Sequence, residues 1–454
     1  MQLPEEFIEY TKTLFGEERW KKFVNSFNEE QPVSIRLNPF KSNTQHPTPN
    51  TPTPSLLERV GVGPLHSSLY KVPWCRNGYW LPKRPDFTLD PLLHAGCYYV
   101  QEAGSMFLDQ ILRQIISPDS SLNTQHPTPN TQHFSLSFGE GRGEASSLQA
   151  LDLCAAPGGK STLLRAALPE GALLYSNEPD HRRANILMEN MQKQGHPDVI
   201  VTNNYAKDYQ KAKLLFDLIL TDVPCSGEGM FRKDEGAIHE WSIQNVMKCQ
   251  ALQRSIVQDI WPCLKEGGIL IYSTCTFNTR ENEENVRWIC EELGAEVLPV
   301  SIQEEWKITG SLLDGFNQPV YRFIPGITPT EGLFVFLIRK TSDNVLSGKS
   351  NSKALRILSN GHYEGEIKGK NIIPAHAEAL LINLPEGKYP RTEVDLETAL
   401  HYLRGEAIYS PLLAEERQGI RLLTYQGHPL GFVKNLGNRA NNLYPQEWRI
   451  RKSI

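Results

Sequence analysis

With 454 residues, 39% hydrophobic and 22% charged, the chain has enough apolar material for several packed domains, and its composition excludes a fibrous or wholly disordered protein. A net charge of −5 excludes a uniformly basic nucleic-acid binder while leaving room for a local basic face. No apolar run reaches the roughly 20 residues of a membrane span, no basic-then-apolar leader opens the sequence, and the eight cysteines lack the Cys-x-x-Cys spacing of zinc sites, so a cytoplasmic protein without a metal or a membrane partner is expected.

Residues 3–27 place Phe7, Tyr10, Leu14, Phe15, Trp20, Phe23, Val24 and Phe27 at helical spacing, which predicts two amphipathic helices. Ser34-Ile-Arg-Leu-Asn38 predicts a short strand stopped by Pro39, with Arg36 either an ordinary surface residue or an RNA contact. The segment Asn43–Thr51, NTQHPTPNT, recurs unchanged at Asn123–Thr131, each copy within Pro/Thr/Ser-rich sequence. Such sequence cannot bury enough apolar surface to offset its ordering entropy, so 43–54 and 118–147 are read as disordered insertions. Between them Leu56–Val72 resumes globular patterning. Tyr98–Leu108 reads as a strand running into an amphipathic helix, with Gln101 and Glu102 at the junction.

From residue 150 onward strands and helices alternate. Strands are predicted at Ala150–Leu153, Ala172–Ser176, Val199–Thr202, Phe216–Thr221, Gly268–Ser273 and Phe334–Ile338, with helices including His181–Gln194 and Ile243–Leu264. This order predicts an α/β domain with a mostly parallel sheet covered on both faces, the run Gly332–Arg339 closing it as an edge strand. Polar Ser342–Ser352 reads as a linker. The tail after it predicts a helix at Leu396–Leu403 and a hairpin, Gly419–Tyr425 and Pro429–Lys434, around Gln426-Gly427. Its end mixes Lys434, Arg449, Arg451 and Lys452, which suit RNA phosphates, with Tyr444 and Trp448, which suit either unstacked bases or a small core. The expected division is therefore 1–96, 97–340, a linker at 341–352, and 353–454.

The chemistry gathers around Cys154-Ala155-Ala156-Pro157-Gly158-Gly159-Lys160. A strand, a glycine turn and a helix start form a cradle for the polar part of a nucleoside ligand, and Glu178, at the tip of the next strand, suits a ribose diol. Ligands of open α/β sheets bind outside the carboxyl ends of the strands. Those ends here deliver Asp222-Val-Pro-Cys225 and Ser273-Thr-Cys275. The cysteines Cys154, Cys249, Cys263 and Cys290 fit ordinary packing. Cys225 and Cys275 do not, because both sit in turns at strand ends. An adenosine-bearing cofactor beside a thiol suggests methyl transfer to pyrimidine carbon 5. A thiolate adding at carbon 6 makes carbon 5 nucleophilic, and a carboxylate such as Asp222 steadies the charge at ring nitrogen 3 and the exocyclic amine. By spacing alone either cysteine could be the nucleophile, and a non-catalytic RNA-binding assembly factor remains the alternative of another class.

Ser34-Ile-Arg-Leu-Asn38, Gln101-Glu-Ala-Gly-Ser-Met106, Cys154–Lys160, Asp222-Val-Pro-Cys-Ser-Gly-Glu-Gly229, and Ser273-Thr-Cys-Thr276 with Glu281-Asn-Glu283 together resemble the RsmB/NOP family of RNA (cytosine-5)-methyltransferases. Gly427-His-Pro-Leu-Gly431 to Tyr444-Pro resembles the PUA-like module of the RsmF-type branch. The resemblance implies a Rossmann-like class I methyltransferase domain, a small α+β N-terminal domain, and a β-rich PUA-like region at about 396–454. It implies S-adenosylmethionine bound by Cys154, Ala155, Ala156, Pro157, Gly158, Gly159, Lys160, Glu178 and Asp222, with Asp222 also meeting the cytosine. It implies Cys275 as nucleophile and Cys225 in product release. It also implies an RNA partner, small-subunit rRNA rather than tRNA, bound by a monomer. The family's Asp-Gly-Arg after the third strand is here Asn203-Asn204-Tyr205, so Asn204 is expected to meet the adenine amine without a charge.

Overall fold

The computed structural model describes residues 3–41, 70–116, 148–343, 346, 348–368, 371–409, 413 and 415–452. Both copies of the repeat, the two insertions and most of the 56–72 segment lie outside them.

The central sheet has β4 (Gln149–Asp152), β5 (Leu173–Asn177), β6 (Val199–Thr202), β7 (Phe216–Asp222) and β8 (Leu264–Thr274) as its parallel part, in the spatial order β6-β5-β4-β7-β8. These are the runs whose side chains are buried on both faces, the pattern of a parallel sheet under helices. The helices α3 (Gly159–Ala167), α4 (His181–Gln194), α5 (Ala206–Ala212), α6 (Ile243–Ile260) and α7 (Glu283–Leu293) follow these strands in turn. One apolar layer centres on Leu164, Leu174, Leu187, Leu218 and Ile271. The other centres on Leu151, Phe216, Ile219, Val257 and Phe336.

Beyond β8 the sheet continues antiparallel into β11 (Leu333–Lys340). That strand is not the edge the sequence suggested. β9 (Ala295–Leu298) pairs with its second half and β10 (Tyr321–Phe323) with its first, so its outer side is covered. At the opposite edge β12 (Ile357–Ser359) pairs antiparallel with β6, so the chain after the expected linker begins by extending the catalytic sheet.

Helix α1 (Glu5–Asn25) is interrupted at Gly16, whose φ of 72° and ψ of 164° break the helical path and give the two amphipathic pieces expected. Its aromatic face packs behind the sheet's carboxyl rim. Phe7 lies 5.0 Å from Phe231 and 5.2 Å from Trp241, and Phe15 lies 5.9 Å from Phe277, between ring centroids. β1 (Val33–Leu37), β2 (Gly78–Leu81) and β3 (Tyr98–Val100) form a small antiparallel sheet, followed by α2 (Leu108–Ile116).

The tail holds a hairpin of β13 (Glu366–Lys368) and β14 (Asn371–Ile373), then β15 (Arg391–Glu393), α8 (Leu396–Leu403), β16 (Gly419–Tyr425), β17 (His428–Asn435) and β18 (Ala440–Asn442). The turn between β16 and β17 has φ of 52° at Gln426 and 76° at Gly427, the two positive values a two-residue hairpin requires. The tail is not an appendage. Ile35, Leu92 and Tyr98 of the N-terminal region share one core with Val394, Leu400, Leu423 and Tyr444. Tyr444 and Trp448 belong to this packing, each with its ring 5.0 Å from His376.

Candidate active site

The glycine turn is shaped by what lies against it. Gly158, at φ 121°, precedes α3, and a Cβ there would stand 3.3 Å from the Cβ of Asn190. A Cβ on Gly159 would meet the ring of Tyr99 at 3.1 Å. The cradle is therefore closed from outside by α4 and β3, and side-chain bulk at either glycine would press into it. Beneath it Ser161 donates to Asp152 at 2.7 Å, and burial pushes the Asp152 carboxyl up to about 7. Glu178 is buried at the end of β5. Its carboxylate accepts from the Asp180 N–H at 3.1 Å and lies 3.5 Å from Arg183, and burial lifts its pKa.

Two of the expected contact residues have partners within the chain. The side-chain amide of Asn204 meets the backbone of Arg356. Its Oδ1 accepts from Arg356 N–H at 3.0 Å and its Nδ2 donates to Arg356 O at 3.1 Å, which clasps the chain entering β12. Arg36 is not a surface residue. It is 4% exposed, donating from Nε to Gln101 at 2.8 Å and from Nη2 to Thr162 at 2.6 Å, and so ties β1 to the start of α3. In the tail Lys434 is half-buried, while Arg449 and Arg451 are exposed.

At the ends of β7 and β8 the two cysteines meet, Cys225 Sγ to Cys275 Sγ at 3.2 Å. The hydrogen bond with Cys275, then burial, raises the Cys225 thiol above its ordinary value. Asp222 accepts from Lys160 at 2.8 Å on one oxygen and from Ser273 at 2.7 Å on the other. Burial pulls Lys160 down, but Asp222 beside it more than offsets this and leaves the ammonium above its ordinary pKa. Lys160, Asp222 and Cys275 line one cavity of about 370 Å³, together with Cys154–Pro157 and Gly159. Cys225 is not among its lining residues.

A polar scaffold that the spacing argument did not single out fixes this pair. Asn282 accepts from Thr274 Oγ1 at 2.7 Å and donates to Thr276 O at 2.9 Å, gripping Cys275 from both sides. Glu281 accepts from Ser226 N–H at 3.0 Å, from Gln253 at 2.6 Å and from Asn278 at 2.8 Å, which ties the Cys225 loop to the Cys275 loop. Glu228 accepts from Phe277 N–H at 2.5 Å and from the Trp241 indole at 3.0 Å. The crowding of Asn, Glu and Thr after a buried strand was the available signal, since polar side chains there need buried partners.

A nucleoside cradle on the carboxyl rim of a mostly parallel sheet, opening into a cavity with a cysteine and a clamped carboxylate, is the architecture of a class: the Rossmann-like methyltransferases. Residues 144–339 match the family model described as 16S rRNA methyltransferase RsmB/F. Residues 3–103 match the N-terminal domain of 16S rRNA methyltransferase RsmF, and 389–450 match the methyltransferase RsmF PUA domain. The three models, for the methyltransferase core and for the two RsmF flanking domains, match the chain in succession. The chain is similar to ribosomal RNA small subunit methyltransferase F of Citrobacter koseri, 26% identical over 94% of this chain and 95% of that one. The protein of the same name from Salmonella agona is 27% identical, again over 94% and 95%. Among solved structures, a methyltransferase homolog protein from Pyrococcus horikoshii shares the fold with a TM-score of 0.53 and 23% identity, covering 74% of this chain and 100% of that one. NSun6 from the same organism, solved with SFG, has a TM-score of 0.54 and 19% identity, covering 75% and 99%. The protein is an S-adenosylmethionine-dependent RNA (cytosine-5)-methyltransferase. The glycine cradle and Glu178 fit that cofactor's polar groups. Among the described residues no helix is long and apolar enough to cross a membrane.

Proposed function

We propose that this chain methylates cytosine carbon 5 in 16S rRNA of the small ribosomal subunit, with Cys275 as the nucleophile and Cys225 as the residue of the exit step. The observation that carries the assignment is that Cys275 lines the cavity with Asp222 while Cys225, 3.2 Å away, does not. The Cys275 sulfur bonds to carbon 6, and Asp222, held by Lys160 and Ser273, meets ring nitrogen 3 and the exocyclic amine. S-adenosylmethionine, held by Cys154–Lys160 and Glu178, supplies the electrophilic methyl group. Carbon 5 then gives its proton to a base, the carbon 5–carbon 6 double bond re-forms and the Cys275 sulfur leaves as the thiolate, an exit step to which Cys225, 3.2 Å away, is assigned. The flanks, 1–96 and 353–454, are read as RNA-binding regions of a monomeric enzyme, with exposed Arg449 and Arg451, and half-buried Lys434, at the phosphates.

The two cysteines discriminate the roles. Cys225→Ala should methylate but fail to eliminate, accumulating a protein–RNA adduct that survives a denaturing gel. Cys275→Ala should form none, and adding it to Cys225→Ala should abolish the adduct. Adduct in Cys275→Ala alone would reverse the roles, and adduct in neither, with cofactor bound, would remove the covalent mechanism. Bisulfite mapping of RNA from a deletion strain identifies the substrate. A lost mark in tRNA rather than 16S rRNA would replace the proposed substrate, and no lost mark would favour a non-catalytic assembly role.

A further inference from the structure

Two carboxylates lining the catalytic cavity have no place in the mechanism above: Glu102, whose two oxygens are taken by the Gly104 and Ser105 N–H groups, and Glu331. Glu331, 3% exposed, lines the cavity with Cys275, Asp222 and Lys160. Its backbone N–H donates to Glu102 at 3.0 Å, and its Oε1 lies 3.1 Å from Arg232. Its other oxygen, Oε2, is buried and hydrogen-bonds to none of the described residues. A buried carboxylate oxygen without a donor is costly, and the cost is removed when an incoming group supplies one.

The position of Glu331 narrows the donor. A Cβ built on Gly229 would stand 2.5 Å from Cys275 O and 3.1 Å from Glu331 O, so Glu331 adjoins the nucleophile's own backbone. The sulfur attacks carbon 6. In cytidine the ribose leaves from nitrogen 1, the neighbour of carbon 6, whereas the exocyclic amine leaves from carbon 4, across the ring. With Asp222 and Lys160 assigned to the amine edge, the main chain of Glu331, which adjoins that of Cys275 at Gly229, puts this residue toward the sugar side. We propose that Glu331 accepts a hydrogen bond from the 2′-hydroxyl of the target nucleotide and is the residue by which this active site selects ribose over deoxyribose. The 2′-hydroxyl is the group that distinguishes RNA from DNA at a protein site, and a charged acceptor reads it more strongly than a neutral one. This assignment rests on the proposed reaction at a cytosine.

The test uses the full chain and 16S rRNA assembled by splinted ligation, carrying either cytidine or 2′-deoxycytidine at the position mapped by bisulfite. Wild type should lose roughly 10- to 150-fold in kcat/KM on the deoxy substrate, the range for a hydrogen bond to a charged group. In Glu331→Gln the ribo-to-deoxy ratio should shrink to roughly 2- to 12-fold, the neutral range. In Glu331→Ala it should approach unity. The double variant Arg232→Met, Glu331→Ala removes the cation that the single variant strands, so a folding defect in the single variant does not hide the ratio. A wild type that turns over both substrates equally, or an undiminished ratio in the alanine variants, overturns the assignment while leaving the reaction intact. Failure of wild type to methylate the all-ribose substrate counts instead against the proposed reaction.

Discussion

Cys275 owes its placement to Asn282, which holds the residues on either side of it, and Cys225 owes its placement to Glu281. Near-attack geometry tolerates little error, and a displacement of about 1 Å can cost on the order of 100-fold in rate. Asn282→Ala should accordingly lower kcat by roughly 10- to 100-fold while cofactor affinity measured by calorimetry stays at the wild-type value. Loss of cofactor binding instead would show that Asn282 supports the whole rim. Glu281 adds a pH signature. Burial, then Glu228, pushes its carboxyl up to about 7 from an ordinary 4.5. The native state therefore holds an extra proton between those values, and this group's contribution to stability falls as pH rises through that window. In urea melts Glu281→Gln should gain on wild type by up to about 3 kcal/mol between pH 4.5 and 8. Parallel pH curves for the two proteins would show that the carboxyl titrates normally.

The elements that carry the cofactor residues depend on their ends. Asp180 caps α4, accepting from Arg183 N–H at 2.9 Å, while its own N–H donates to Glu178. Asp180→Ala should cost about 1 kcal/mol in thermal or chaotrope melts. It should also weaken S-adenosylmethionine binding, because the cap and the carboxylate share one turn. At the edge of the sheet, Asn204 clasps Arg356 through one acceptor and one donor. Asn204→Asp keeps the acceptor but sets a carboxylate oxygen against the Arg356 carbonyl, an unmade bond with a repulsion added. It should cost about 1–3 kcal/mol and speed hydrogen exchange at the Arg356 amide. Unchanged exchange there would mean that β12 is held by its strand pairing alone.

Across the whole molecule, the N-terminal region and the tail share one core. His376 sits in it against Tyr444 and Trp448, with both ring nitrogens unpartnered among the described residues. Burial, then the nearby Lys193 and Lys41, lowers its pKa to about 3. The native state thus binds fewer protons than the unfolded chain between about pH 6.5 and 3, and this contribution, full above 6.5, is lost as pH falls. His376→Phe keeps an aromatic ring and removes the titration. Its acid unfolding should be shallower than wild type by about 3 kcal/mol between pH 6.5 and 4, measured by urea melts across that range. An identical acid limb in the variant would place the loss elsewhere, in such groups as His94, which burial lowers to about 4.

The sequence by itself determined the parallel strands, the glycine turn, Glu178 and the two strand-end cysteines. These follow from local rules: runs of buried β-branched and aliphatic residues, a turn without side-chain bulk, and a site at the carboxyl rim of the sheet. The hairpin turn at Gln426-Gly427 was equally local. What tertiary structure decided were pairings between distant residues. Arg36 looked exposed because its partners, Gln101 and Thr162, lie 65 and 126 positions away. Asn204 binds Arg356, 152 positions on, through both its amide oxygen and its amide nitrogen, a partnership that no local pattern announces. The interior of β11 was mistaken for an edge because β9 and β10 are short strands with little periodicity. Sequence reasoning placed Cys225 and Cys275 at one rim, but which sulfur faces the cavity depends on Asn282 and Glu281. Buried hydrogen bonds at long range have no periodicity to read, and only the folded chain brings their partners together.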